Sequence, residues 1–85
     1  MEYEFHYDSG HGWLKVKRAE IISLGLQDKI SGYSYQDGED VYLEEDCDAS
    51  VFLDEKFARD EHYTQKEIDD GDDSRIRDYG HYSIA

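Results

Sequence analysis

Apolar and polar residues alternate at the start of the chain. In "YEFHYD", Tyr3, Phe5 and Tyr7 fall on one side, the period of a strand. The run "SGHG" supplies turn residues, and "WLKVK" alternates again, with Trp13, Lys15 and Lys17 opposed to Leu14 and Val16. Two such runs around a short glycine loop predict a β-hairpin. Next, "RAEIISLGL" predicts a short helix over roughly residues 18–24, with Ala19 and Ile22, joined by Ile21 and Leu26, on its inner face. Gly25 stands where a left-handed C-cap belongs.

The run "YSYQDGEDVYLEE" reads as a second hairpin turning at "QDGE". The pattern becomes helical in "DCDASVFLDEKFARDEHY". Asp46 or Asp48 is the expected N-cap, and Val51, Phe52, Glu55 and Ala58 are the expected inward neighbourhood. Thr64 to Glu67 have the form of a capping box and predict one last helical turn. The tail "RIRDYGHYSIA" adds an edge segment. Together these predict one α+β domain over residues 1–85: a small antiparallel β-sheet of three to four strands, with one main helix and a short helix packed on one face.

Length and composition narrow the chemistry. A chain of 85 residues buries only about 60% of its unfolded surface, so a deep catalytic pocket is hard to build. Twelve aromatics, eight of them Tyr, give the core its bulk, and there is no proline. The single cysteine, Cys47, excludes an internal disulfide and suits a reducing cytoplasm. No apolar run approaches the roughly 20 residues of a membrane helix, and the acidic, aromatic N-terminus does not read as a secretory signal.

Charge changes the picture most. The chain carries a net charge of −13. Residues 36–73 hold sixteen acids against three bases, while the flanking segments are close to neutral. Such a field repels nucleic acid and acidic membranes and steers towards basic partners.

The individual chemistries are weaker. Asp46, Asp48 and Ser50 imitate the start of a calcium loop, but Val51 stands at the glycine position and Phe57 at the final glutamate position. "DDGDDS" at 69–74 offers only a loose grip on a hard cation. His6, Asp8 and His11 form a candidate zinc trio, lacking the four N/S ligands of a structural site; the preferred reading of the histidines is turn and surface residues. Cys47 lies among carboxylates that suppress its thiolate, and is read as a buried structural residue. Glu44 and Asp46 form a possible acid–base pair, but so dense a charge run is expected to be solvated throughout. "GHGW" is too short for a phosphate loop. No cofactor, metal or catalytic residue is expected.

What remains is charge display. Carboxylates at i and i+2 of a strand stand about 6.6 Å apart, and those at i and i+4 of a helix about 6 Å. Both spacings are of the order of the phosphate spacing of nucleic acid. The expected charge-bearing residues are Asp37, Glu39, Asp40, Glu44, Glu45, Asp46, Asp48, Asp54 and Glu55, with Tyr42 or an exposed neighbour as aromatic anchor. Charge reversal at Glu44 and Glu45 together is expected to leave the fold intact.

The core "GHGWLKV … KISGYSYQDGEDVYLEEDCDASVFL", residues 10–53, resembles small acidic proteins encoded by bacteriophages and other mobile elements, with "YLEEDCDA" as its most distinctive segment. Within that group the chain looks like DNA-mimicking anti-CRISPR proteins. The resemblance implies a non-enzymatic inhibitor in the cytoplasm of a bacterial host. Its implied partner is a basic, PAM-reading DNA-binding subunit of a type I CRISPR surveillance complex. The alternatives are a phage protein-binding module acting on another host protein, or a small metal-binding protein centred on His6, Asp8 and His11.

Overall fold

The computed structural model describes residues 1–84. The elements run β1 (Glu2–Tyr7), β2 (Gly12–Lys17), α1 (Arg18–Ser23), β3 (Tyr35–Asp37), β4 (Asp40–Glu44), α2 (Asp48–Ala58), β5 (Thr64–Asp69), a 3-10 turn (Arg75–Asp78) and β6 (Gly80–His81). The α+β class and both hairpins stand as expected. The sheet is larger and mixed: six strands in the order β5-β1-β2-β4-β3-β6, with β5 parallel to β1 and the other pairs antiparallel.

The largest departure from the sequence pattern is β5. Thr64–Glu67 does not start a helical turn; the segment lies along β1 with Glu2 opposite Thr64 and Tyr7 opposite Asp69. An isolated helical turn has a costly nucleus. The outer edge of β1 instead offers a ladder of unpaired backbone groups, which β5 fills. The expected edge segment in the tail is β6, paired to β3 through Gln36 and Gly80.

The alternation in β1, β2 and β4 sends residues to two covered faces. On one, Tyr3, Leu14, Val16, Val41 and Leu43 pack against Ile21 and Leu24 of α1 and Ala49 and Phe52 of α2. On the other, Trp13 and Tyr42 are buried beneath Ile76 of the 3-10 turn, with Tyr35 and Tyr79 beside them. Tyr42 is thus a core residue rather than an exposed anchor. Both helices differ in phase from the sequence expectation. In α1, Ile21 is buried while Ala19 and Ile22 are exposed. In α2 the buried stripe is Asp48, Ala49, Phe52 and Lys56, a face beginning one turn earlier than expected.

Gly25 ends α1 as predicted. Its φ is 72°, its N–H donates to the Ile22 carbonyl, and Leu26 N–H donates to the Ile21 carbonyl. This is a Schellman cap, which needs the left-handed residue.

Candidate acidic interaction surface

The nine expected charge-bearing residues do not form one surface. Lys17 lies opposite Asp40, and Trp13 opposite Glu44. The two acids therefore sit at opposite ends of β4, about 13 Å apart at the rise of a strand. Asp37 and Glu39 are exposed at the hairpin tip beside Asp40. Glu45 and Asp46 are exposed at the far end, and Asp54 is exposed on α2.

Four of the nine are engaged inside the molecule. Asp40 pairs with Lys17 at 2.7 Å, and Glu55 with Arg59 at 2.8 Å along one helix face. Asp48 is 3% exposed and does not cap α2. It turns back to accept from the Ser31 backbone N–H at 3.1 Å, the Ser31 hydroxyl at 2.7 Å and the Ser34 hydroxyl at 2.5 Å. Glu44 is also buried; one of its oxygens accepts from the Asp46 N–H at 2.9 Å. Ser34 links these two acids, because its Oγ also accepts from the Glu44 N–H at 3.0 Å. A buried carboxylate is tolerated only when paired and hydrogen-bonded, which is what the 31–34 turn provides. A lysine at position 44 would put a cation at a buried position built for an acceptor, so reversal there is expected to destabilise the fold, where the sequence pattern predicted tolerance.

The end of the sheet that carries Glu45 and Asp46 gathers further acids. Three loops emerge there: 8–11 after β1, 45–47 after β4 and 70–74 after β5. Glu45 N–H donates to the Gly12 carbonyl at 3.0 Å, and Asp70 N–H to the Tyr7 carbonyl at 2.8 Å. The Ser9 hydroxyl donates to the Asp72 carbonyl at 2.9 Å. Glu45, Asp46, Asp69, Asp72 and Asp73 are exposed along this rim, which crosses four strands, about 14 Å at the usual strand separation. Periodicity gave no sign of Asp69, Asp72 and Asp73 joining Glu45, because parallel pairing of β5 to β1 brings them there. Tyr33, 72% exposed, lines a cleft at the same end with Asp46 and Tyr35.

The rim is held from beneath by Asp8. Its side chain is fully buried and meets Arg77 at 2.6 Å and 2.9 Å. It also accepts from the backbone N–H groups of Ser74, Gly10 and His11 at 2.9–3.0 Å. The Arg77 guanidinium, reinforced by those N–H groups, holds the Asp8 carboxyl well below the usual carboxylate range. Arg77 also stacks over Trp13, 5.3 Å from the ring centre, so the clasp reaches the second core cluster.

The candidate zinc trio is not assembled. His6 lies between Glu4 at 2.9 Å and Asp70 at 3.2 Å. Asp8 is spent on its clasp, and His11 faces Glu44. Cys47 is exposed, not buried as the sequence suggested. Partial desolvation and the charges of Glu44 and Asp48 push its thiol up, so it is a poor nucleophile at neutral pH. Lys56, one of only three bases in the acidic segment, is buried. It donates to Glu20 at 2.6 Å and Glu61 at 2.8 Å, and both charge-assisted bonds raise its pKa against the cost of burial. Its place on the apolar stripe, four residues after Phe52, was the available signal.

No family model matches this chain, and comparison with curated proteins and with solved structures gives no match. Among the described residues, no helix is long and apolar enough to cross a membrane.

Proposed function

We propose that the protein is a non-enzymatic, DNA-mimicking inhibitor that binds a basic DNA-binding surface. The acidic rim Glu45, Asp46, Asp69, Asp72 and Asp73 is its principal contact. The observation that carries this reading is the exposure of these carboxylates on a rim made rigid from below, where the Asp8–Arg77 clasp fixes two of its three loops. A preformed anionic edge raises encounter rates with a cationic groove and loses little freedom on docking. The resemblance to phage-encoded acidic proteins supplies the target class, the PAM-reading subunit of a type I CRISPR surveillance complex. Asp37, Glu39 and Asp54 lie elsewhere on the surface and contribute to the long-range field rather than to the contact.

Phage plating on immune hosts of different CRISPR subtypes, with and without the protein expressed, tests the inhibitor reading. Restored plaques in one subtype are expected. Competition between the protein and target DNA for the purified complex then tests mimicry, with inhibition weakening steeply as salt rises. Reversing Glu45, Asp72 and Asp73 to Lys together should abolish competition without unfolding the chain; unchanged competition rejects the rim as the contact.

The exposed Tyr33 beside the rim favours a second reading, a protein-binding module with an aromatic anchor. A Tyr33→Ala variant that loses its partner while the triple reversal keeps it would select that reading.

A further inference from the structure

We propose that His11, Glu44 and Asp46 form a binding site for a divalent transition-metal ion of the Zn²⁺ type. One ligand atom from each residue lies within 4.8 Å of the others. His11 Nδ1 stands 3.5 Å from Glu44 Oε1. That is long for a strong N–H···O bond. It matches the separation of two ligands on one tetrahedral ion, about 3.4 Å when each is about 2.1 Å from the metal.

The backbone holds the donors in place independently of any metal. The His11 N–H is fixed by Asp8 at 3.0 Å, and Asp8 is itself locked by Arg77. Glu44 closes β4 opposite Trp13, and the bond from Glu45 N–H to the Gly12 carbonyl ties the two ligand-bearing segments together. Position 12 has no room for a side chain: a Cβ there would stand 2.4 Å from the Phe5 ring and 3.3 Å from the Glu45 carboxyl carbon. Glu44 is 8% exposed. Its Oε2 is taken by the Asp46 N–H, which leaves Oε1 turned to the imidazole. That oxygen, with the ring nitrogen at 3.5 Å and the Cys47 thiol beside it, reaches the cleft, where a cation can bridge it to His11 and Asp46.

The donor set selects the ion. One imidazole and two carboxylates carry two negative charges when the ring is neutral, which a divalent ion balances. An imidazole ligand favours zinc, cobalt, nickel or copper over calcium and magnesium. The same residues line a cleft of about 280 Å³ whose walls include Trp13, Tyr33 and Tyr35, so a fourth position would open towards solvent and accept water. This site differs from the trio that the sequence suggested, sharing only His11, and it does not depend on the inhibitor reading.

Calorimetric titration of the purified, chelator-treated protein with zinc chloride tests it, with magnesium chloride as the control. One zinc per chain is expected, with magnesium binding far weaker, and cobalt(II) should give the visible absorption of a four-coordinate site. His11→Ala and Asp46→Asn change exposed side chains, and far-UV circular dichroism confirms their folding. Each should weaken zinc at least about tenfold, the scale on which even supporting residues act. His6→Ala and Cys47→Ser should bind as the unaltered protein does. Zinc binding no tighter than magnesium, retention of affinity in both the His11 and Asp46 variants, or loss confined to the Cys47 variant would each overturn the assignment.

Discussion

Asp8 and Glu39 are both turn carboxylates between paired strands, yet they do opposite work. Asp8 is enclosed, accepts from an arginine and three backbone N–H groups, and joins the β1–β2 turn to the 74–77 segment. Glu39 is exposed at the tip of the β3–β4 hairpin. Its backbone carbonyl accepts from Arg18 N–H, and its carboxylate faces water. The difference lies in which donors the fold brings within reach. Where loops from three strands converge, a carboxylate becomes a structural anchor; at an isolated hairpin tip it remains free charge.

Asp8→Ala should break this contrast most severely. It strands the buried Ser74 N–H and removes the partner of Arg77, at a cost of roughly 3 kcal/mol, read as a lower urea midpoint with an unchanged slope. Ser34→Ala is next. Its hydroxyl serves both Asp48 and the Glu44 N–H at a fully buried position, and its loss should cost roughly 2 kcal/mol in the same measurement.

Acid sharpens the comparison further. The folded pKa of Asp8 lies far below its unfolded value of about 3.9, so its contribution is complete from about one pH unit above that value upward. It is lost as the pH falls below about 5, with a slope approaching 1.4 kcal/mol per pH unit for one proton. An Asp8→Asn variant should show a flatter loss of stability between about pH 5 and 2, measured by chemical unfolding across that range. If the variant follows the unaltered protein throughout, the clasp is not the acid-sensitive element. At the other extreme, Glu39→Gln should change stability by less than about 0.5 kcal/mol, since no donor depends on its carboxylate.

Local patterning carried the parts of the fold that local contacts decide. Both hairpins, the span of α1 and its Gly25 cap were legible because alternation, turn residues and capping act within a few positions. The phase of α2 was not, because Lys56 occupies a core position that a count of apolar residues skips, and Glu20 and Glu61, with the Tyr3 ring 5.7 Å away, make that position tenable. Strand β5 was hidden for a similar reason: its residues are almost all exposed, and what orders them is the backbone edge of β1. The acidic segment was plain in the sequence, but its division into anchors and free charge was not. Asp48 depends on a turn 14–17 residues away, just as Asp8, outside that segment, depends on an arginine 69 residues away.

The parallel pairing of β1 with β5 also sets a clock during synthesis. Residues 2–7 are made well before their outer partner, which spans residues 64–69. At about 5–20 residues per second, β1 waits roughly 3–12 s for that strand to be made. Through that interval the β1–β2 hairpin presents an open backbone edge to other nascent chains. Slower elongation across residues 20–60 would lengthen the exposure without altering a single native contact.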